Sequence, residues 1–404
     1  MGHSYVRTNW LLPFMLFIFV LPGAAHAYTF GVLHTFQYSD GEFPNGSLLI
    51  DRANNLYGTS IRGGAVDCGV AYSLAPNGTE NVLYSFNGGD GCYVSSGLTR
   101  DEEGTFYGTT SEGGQTGCPN RHYGCGAVFT LTPAGTETVL HYFGKKHGSH
   151  PAGNLALNKR DDVFGTAGSG GSKTCECGIA FKIAPGGETI PLHVFLGGSD
   201  GASPGSGLLR DKLGNLYGVT AVGGGGAACA GSQGCGTVFE ITANGNYSIL
   251  YAFSGGSDGA FPSGELAMDN TGNLYGTTEG GGTNGFGTTY ELTAGGVETV
   301  LHSFAGGSDG STPATGVILG SAGDIYGTTQ GGGGGEEVGV VFHLAPSGTE
   351  TTLYSFTGKA DGAYPQGLTL DAAGDIYGTA LMGGSLTQTC NGGAGCGTVF
   401  KLTP

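Results

Sequence analysis

Six aspartates, Asp40, Asp90, Asp200, Asp258, Asp309 and Asp361, recur along the chain, each followed by glycine. Repeated carboxylates of this kind could ring one face of a molecule and hold cations weakly, although a calcium site needs several oxygens converging on one ion. Asp-Gly is also ordinary turn chemistry. At the third occurrence of the pattern the usual Gly-Ser-Asp-Gly gives way to Lys145-Lys146-His147-Gly148-Ser149-His150, with Arg121-His122-Tyr123 upstream and Lys173 downstream. Against an acidic background these cations could seat a uronate, a phosphate or a carboxylate. His34, His141, His193 and His302 alternate with Tyr84, Tyr251 and Tyr354 at one repeat position, an exchange that argues for packing over ligation or catalysis. No nucleophile elbow, zinc-protease motif, phosphate loop or dinucleotide fingerprint stands in a context that would support it.

The elements that must position these residues are set by a repeat. An aromatic inside Leu-Tyr-Gly-Thr or a close variant falls at Tyr57, Tyr107, Phe164, Tyr217, Tyr275, Tyr326 and Tyr377, 50 to 58 residues apart. Each copy reads as four short strands, a to d, alternating or briefly apolar. Asx-and-glycine turns such as Asp211-Lys212-Leu213-Gly214-Asn215 and Pro346-Ser347-Gly348-Thr349 join them. Such a repeat predicts an all-β, seven-bladed β-propeller of four-stranded antiparallel blades. The copies span about 44–86, 94–143, 151–195, 204–253, 262–304, 313–356 and 365–404. Residues 30–36 form a strand d with no blade before them, and the chain ends on a strand c, so the N-terminal strand is expected to complete the last blade and leave no open edge. The glycine of strand b is read as relief where neighbouring sheets crowd at the axis, and the strand a lining as mostly aliphatic.

Asp-Gly-x-x-Pro, Gly-Asn-Leu-Tyr-Gly-Thr-Thr, Gly-Cys-Gly-Thr-Val-Phe and Thr-Val-Leu-Tyr-Ser-Phe together resemble the GloVer tandem repeat of exported bacterial proteins, from about Phe30 to Pro404, and more loosely the repeat of NHL-type propellers. The resemblance implies an exported propeller and carries no catalytic residues with it. The chain ends at Pro404 without an apolar or sorting segment, so attachment through the C-terminus is not expected.

Export is also read from residues 1–27, where Arg7, an apolar stretch from Trp10 to Leu21 and Ala25-His26-Ala27 resemble a cleaved signal peptide. Residues 28–404 then form one domain, secreted or periplasmic, and disulfides are permitted. Cys118 with Cys125, Cys229 with Cys235 and Cys390 with Cys396 are expected to bridge locally. Cys68 and Cys92, in loops that leave a propeller on one face, can meet. Cys175 and Cys177 either bridge tightly or stay reducible, and zinc ligation is the alternative for all ten. With 15 Lys and Arg against 32 Asp and Glu, a net charge of −17, nucleic acid is a poor partner. The expectation is a monomeric, non-enzymatic binding or structural protein without cofactor. It would present loops to a glycan, an envelope component or a protein, with no membrane span after signal cleavage. The alternative is a polysaccharide lyase or lactonase using Arg121, His122, His147 and His150 as acid, base and charge neutraliser.

Overall fold

The computed structural model describes Met1 and residues 28–114, 124–144, 147–226, 228–229, 234–335, 337–385 and 390–404. Seven antiparallel sheets of the expected order form the ring. Strands a to d are Glu42–Ile50, Leu56–Arg62, Val70–Leu74 and Glu80–Ser85 in blade one, and Ser149–Leu157, Val163–Ser169, Ile179–Ile183 and Thr189–Val194 in blade three. Blade five uses Ala260–Met268, Leu274–Gly280, Thr288–Leu292 and Glu298–Ser303. In blade two strand a is split into Cys92–Val94 and Thr99–Arg100, followed by Phe106–Glu112, Ala127–Leu131 and Glu137–Tyr142. Blade four has Leu209–Arg210, Leu216–Thr220, Thr237–Ile241 and Tyr247–Ala252, and blade six Ile318–Leu319, Ile325–Thr329, Val340–Leu344 and Glu350–Ser355. Blade seven takes Ala363–Leu370, Ile376–Met382 and Thr398–Thr403 from the C-terminal end and Thr29–Thr35 from the N-terminal end, with Thr29 opposite Thr403 and Thr35 opposite Thr398. The closure expected from the two orphan strands is therefore present. Among the described residues no helix is long and apolar enough to cross a membrane.

The repeat motif has a local physical cause at each letter. Its tyrosine closes the a-to-b turn: in blade one Asp51 accepts hydrogen bonds from the Ala53 and Asn55 N–H groups at 2.8 and 2.9 Å and from the Tyr57 hydroxyl at 3.1 Å. Blade three, which has Phe164 in place of tyrosine, also has Asn158 in place of the aspartate. The glycine of strand b answers to its own blade, which corrects the axial-crowding expectation. Gly58, Gly108 and Gly276 pair directly with Tyr72, Phe129 and Tyr290 of strand c. A Cβ at any of them would stand 2.5 Å from that aromatic side chain.

Blade-to-blade contacts repeat as regularly. The phenylalanine after each strand d packs edge-on against the strand c aromatic of the next blade, from Phe36 on Tyr72 round to Phe356 on Phe400, with centroids 4.8–5.3 Å apart. These phenylalanines are the core residues that the repeat period marks out. Near the start of each strand a, one non-glycine residue has positive φ, as in Phe43, Tyr93, His150, Ser203, Phe261, Thr312 and Tyr364. This conformation turns its N–H onto a b-to-c loop carbonyl of the preceding blade. The acceptors are Cys396, Cys68, Cys125, Cys177, Cys235, Phe286 and Val338 in the same order, at 2.7–3.0 Å. After six of the seven acceptors the following glycine has the next blade's proline over it, so that a Cβ at Gly236 would collide with Pro262 Cδ, and after Cys68 the same place is taken by Val94 over Gly69. Gly-Cys-Gly thus reads as a docking edge.

At the axis the strands a alternate. Blades one, three and five carry Pro-x-Gly-x-Leu, with Gly46, Gly153 and Gly264 at φ 71–74° and an uninterrupted strand. Blades two, four and six place the glycine one position later, at Gly97, Gly207 and Gly316, and their strands a are short or broken. The two kinds touch backbone to backbone, since a Cβ on Gly46, Gly153 or Gly264 would collide with the N–H of Gly97, Gly207 or Gly316. Strand b threonines fasten the same region. Thr59 donates to the Ser96 carbonyl at 2.6 Å, Thr166 to Ser206 at 2.6 Å and Thr277 to Thr315 at 2.8 Å, each across a seam, whereas blade four carries Val219 instead.

Candidate functional site

Polar side chains gather where strands a meet, contrary to the expectation of an aliphatic lining. Asn45 and Ser47, Ser96, Asn154, Ser206, Glu265, Thr315 and Gln366 come from all seven blades and bound a cavity of about 550 Å³. Its wall continues along strands a of blades five and six through Leu266–Met268 and Val317–Leu319. Glu265 is the only ionisable side chain among the described residues that line it. The carboxylate reaches over blade four to Asn154 of blade three, accepting the Asn154 backbone N–H at 2.8 Å and its side-chain amide at 3.0 Å. Gly207 makes the passage possible, as a Cβ there would lie 2.4 Å from the Asn154 carbonyl and 3.0 Å from Glu265 Oε1. Burial pushes the Glu265 carboxyl above the usual carboxylate range, and the two Asn154 donors draw it part of the way back. Asn154 Oδ1 is a buried acceptor without a partner among the described residues. Several neighbours are committed elsewhere: Ser96 Oγ accepts the Thr109 N–H at 2.9 Å, Thr315 Oγ1 meets Thr328 Oγ1 at 2.7 Å, and Gln366 Nε2 donates to the Tyr364 carbonyl at 2.9 Å. The site is thus a hydrogen-bonded carboxyl–amide pair in a neutral polar ring.

The residues singled out in the sequence sit elsewhere. All six aspartates lie in d-to-a connections and each is engaged in its own loop. Asp200 accepts from the Leu196 N–H at 2.8 Å and sits 3.1 Å from His193 Nε2; Asp90 accepts from the Asn87 N–H at 2.9 Å and the Tyr84 hydroxyl at 2.6 Å. Asp258, Asp309 and Asp361 repeat this with Tyr251, His302 and Tyr354, and Asp40 lies 3.4 Å from His34. Histidine and tyrosine exchange at this position because each brings a donor to the same carboxylate.

The next blade completes this outer seam. Glu80, Glu137, Glu298 and Glu350 face Asp40, Asp90, Asp258 and Asp309, and burial followed by that neighbouring carboxylate pushes each glutamate up to about 7. In two seams an aromatic takes the glutamate's place: Tyr247 stacks on His193 at 3.6 Å and Phe30 on Tyr354 at 3.8 Å. His302, Asp309 and Glu350 hold ligand atoms within 4.8 Å of one another, fewer ligands than the six to eight oxygens calcium takes.

Of the cationic loop candidates, Arg121, His122, Lys145 and Lys146 lie outside the described residues, as do Cys118 and the signal-like segment 2–27. His147 and Lys173 are exposed. His147 stands where other seams have aspartate, its ring 6.3 Å from that of His141, whose pKa is lowered by burial and then by this neighbour. His150 supplies one of the seven positive-φ residues. Cys68–Cys92, Cys175–Cys177, Cys229–Cys235 and Cys390–Cys396 are disulfides, which settles the pair left open, and Cys125 is disulfide-bonded as well.

The axial pair was missed because departures from the repeat were sought in loops. Before the strand a leucine or valine the copies carry Ser47, Gly97, Asn154, Gly207, Glu265, Gly316 and Gly367. The two largest side chains of that column are the two that meet.

Solved structures with this fold include a catalytically inactive virginiamycin B lyase from Staphylococcus aureus with quinupristin. It is 13% identical, with a TM-score of 0.62, over 93% of this chain and 99% of that one. A streptogramin B lyase is 14% identical, with a TM-score of 0.62, over 93% and 97%. The extracellular domain of a protein named as a one-component system from B. thetaiotaomicron is 10% identical, with a TM-score of 0.57, over 92% of this chain and 39% of that one. At these identities the likeness is one of fold. No curated protein matches the chain in sequence. The model of the Gloeobacter/Verrucomicrobia repeat matches residues 18–118, 81–228, 119–318 and 225–404, together nearly the whole chain, and the protein belongs to that family.

Proposed function

We propose that the protein is an exported binding protein that seats a polyhydroxylated ligand, such as a glycan residue, in its axial cavity. The observation that carries this reading is the Asn154–Glu265 pair inside an otherwise neutral ring of Asn, Ser, Thr and Gln. Such a ring offers donors and acceptors to hydroxyl groups, and about 550 Å³ falls within the range of small-ligand sites. Disulfides in several loops support an oxidising compartment, extracellular or periplasmic. The lyase or lactonase reading rests on Arg121, His122, His147 and His150, of which Arg121 and His122 lie outside the described residues, whereas the axial cavity has Glu265 as its one ionisable side chain among the described lining residues.

The test is a glycan and envelope-fraction array probed with the purified protein and with Glu265→Ala, with and without calcium. Saccharide binding by the wild type that falls at least about tenfold in the variant is expected. An array without saccharide binders, or equal binding by both proteins, overturns the reading.

A further inference from the structure

A second cavity, of about 530 Å³, lies between blades three and four, and its lining is rich in cations. The a-to-b turn of blade three brings Lys159 and Arg160 to its rim, and the corresponding turn of blade four brings Lys212. All three side chains are exposed. Arg210 comes from the end of strand a and Lys182 from strand c of blade three. These five residues are a third of the 15 Lys and Arg in a chain of net charge −17. A solvated surface would scatter them.

The pairing within the cavity is uneven. Among the described lining residues its only carboxylate is Asp162, bound by Lys182 at 2.8 Å. Nearby Asp211 is occupied by its own turn, accepting the Leu213 and Asn215 N–H groups at 2.9 and 2.8 Å. Among the described residues none of Lys159, Arg160, Arg210 and Lys212 forms a close ion pair, although Arg160 acts on Asp162 at longer range. The Arg210 guanidinium carbon lies 5.9 Å from the Phe164 ring centre, and its Nε is a buried donor without a partner among the described residues. An unsatisfied buried guanidinium donor is costly, and an incoming oxyanion would satisfy it. Beneath the cations the floor is apolar, from Phe164, Leu216 and Ile241, and Leu213 stands exposed at the edge. An adjoining cavity shares Lys159 and Arg210 but carries Asp101, Glu102, Glu103 and Asp161, which would turn an anion back toward blade four.

We infer that the cleft between blades three and four is a binding site for an oxyanion, a phosphate or carboxylate, carried on an apolar body. The anion sits among Arg210, Lys159, Arg160 and Lys212, and the apolar body covers Phe164. The site is independent of the axial cavity, which shares no residue with it.

Phenyl phosphate is the probe, titrated calorimetrically into the full chain, with phenol and vesicles of phosphatidic acid or phosphatidylcholine as separate arms. Phenyl phosphate is expected to bind, to weaken as salt shortens the range of the charges, and to exceed phenol by at least about tenfold. Lys159→Ala/Arg160→Ala/Lys212→Ala removes three exposed side chains, so it should keep the wild-type melting temperature and lose about tenfold or more in affinity. Glu265→Ala should bind phenyl phosphate as the wild type does, whatever becomes of the axial reading. Retention on phosphatidic acid vesicles, absent on phosphatidylcholine, would identify a lipid source; binding of phenyl phosphate alone would identify a soluble one. No binding of phenyl phosphate or phosphatidic acid, or equal binding by the wild type and the triple variant, overturns the proposal.

Discussion

The inner and outer halves of each blade-to-blade seam hold the ring by different physics. Near the axis the contacts are neutral: threonine hydroxyls on strand a carbonyls, proline over glycine, and backbone against backbone. At the perimeter they are ionisable, with a histidine or tyrosine bound to an aspartate and, in four seams, a glutamate facing that aspartate. Apart from the Glu265–Asn154 contact, the inner half should therefore respond to shape and be indifferent to pH. The outer half should respond to pH and tolerate changes of shape, as its exchange of Glu350 for Phe30 at one position already suggests.

The largest effect should come from breaking shape at Tyr290, whose ring packs across the seam on Phe253 of the preceding blade. Gly276→Val would drive two methyl groups into Tyr290 and is expected to cost about 3 kcal/mol or more, read as a fall in the midpoint of denaturant unfolding. Tyr290→Phe is its control. The Tyr290 hydroxyl is buried without a partner among the described residues, so its removal should be neutral or mildly stabilising, and a loss comparable to that of Gly276→Val would show that this contact is not governed by shape.

Next in size is the pH response of the outer half. Glu80, Glu137, Glu298 and Glu350 rise from 4.5 to about 7 on folding, so the folded protein holds protons that the unfolded chain releases. Their contribution is complete below about pH 4.5 and is lost as pH rises through about 7. These side chains are roughly half exposed, and with solvent screening the total is on the order of 2 kcal/mol. Melting temperature should fall between pH 5 and pH 8, and replacing all four by glutamine should flatten that slope. A wild-type profile already flat over this interval would remove the distinction between the halves.

The smallest expected effect is Thr277→Val, which strands the Thr315 carbonyl and should cost about 1 kcal/mol at every pH in the same range. A pH-dependent cost would mean that the two halves are coupled.

Much of this architecture is legible in the sequence because it is local or repeated. Seven landmarks count the blades, two orphan strands close the ring, and Cys68 with Cys92 correctly places two kinds of loop on one face. Strand b glycine was visible, but its cause was not, since the period alone does not say which aromatic lies across from it. The candidate sites were hidden for a different reason. Asn154 and Glu265 are 111 residues apart on blades that are not neighbours in sequence, and Arg160 and Arg210 meet only once two a-to-b turns are folded. A repeat reports what every copy shares, and both cavities are made from what single copies hold alone.

The alternating strands a have a consequence of parity. Two kinds of strand can alternate without fault only around an even ring, and this ring has seven blades. Two like neighbours must meet somewhere, and they meet at the chain's own ends: blade seven has a long strand a, as blade one does, but carries only Gln366 and Gly367 between its proline and leucine where the other copies have three residues. The sequence repeats by single blades while the axis repeats by pairs. Gain or loss of a pair of blades would preserve the axial pattern, whereas gain or loss of one would turn a tolerated mismatch into a matched ring of even count and change the shape of the cavity that the mismatch borders.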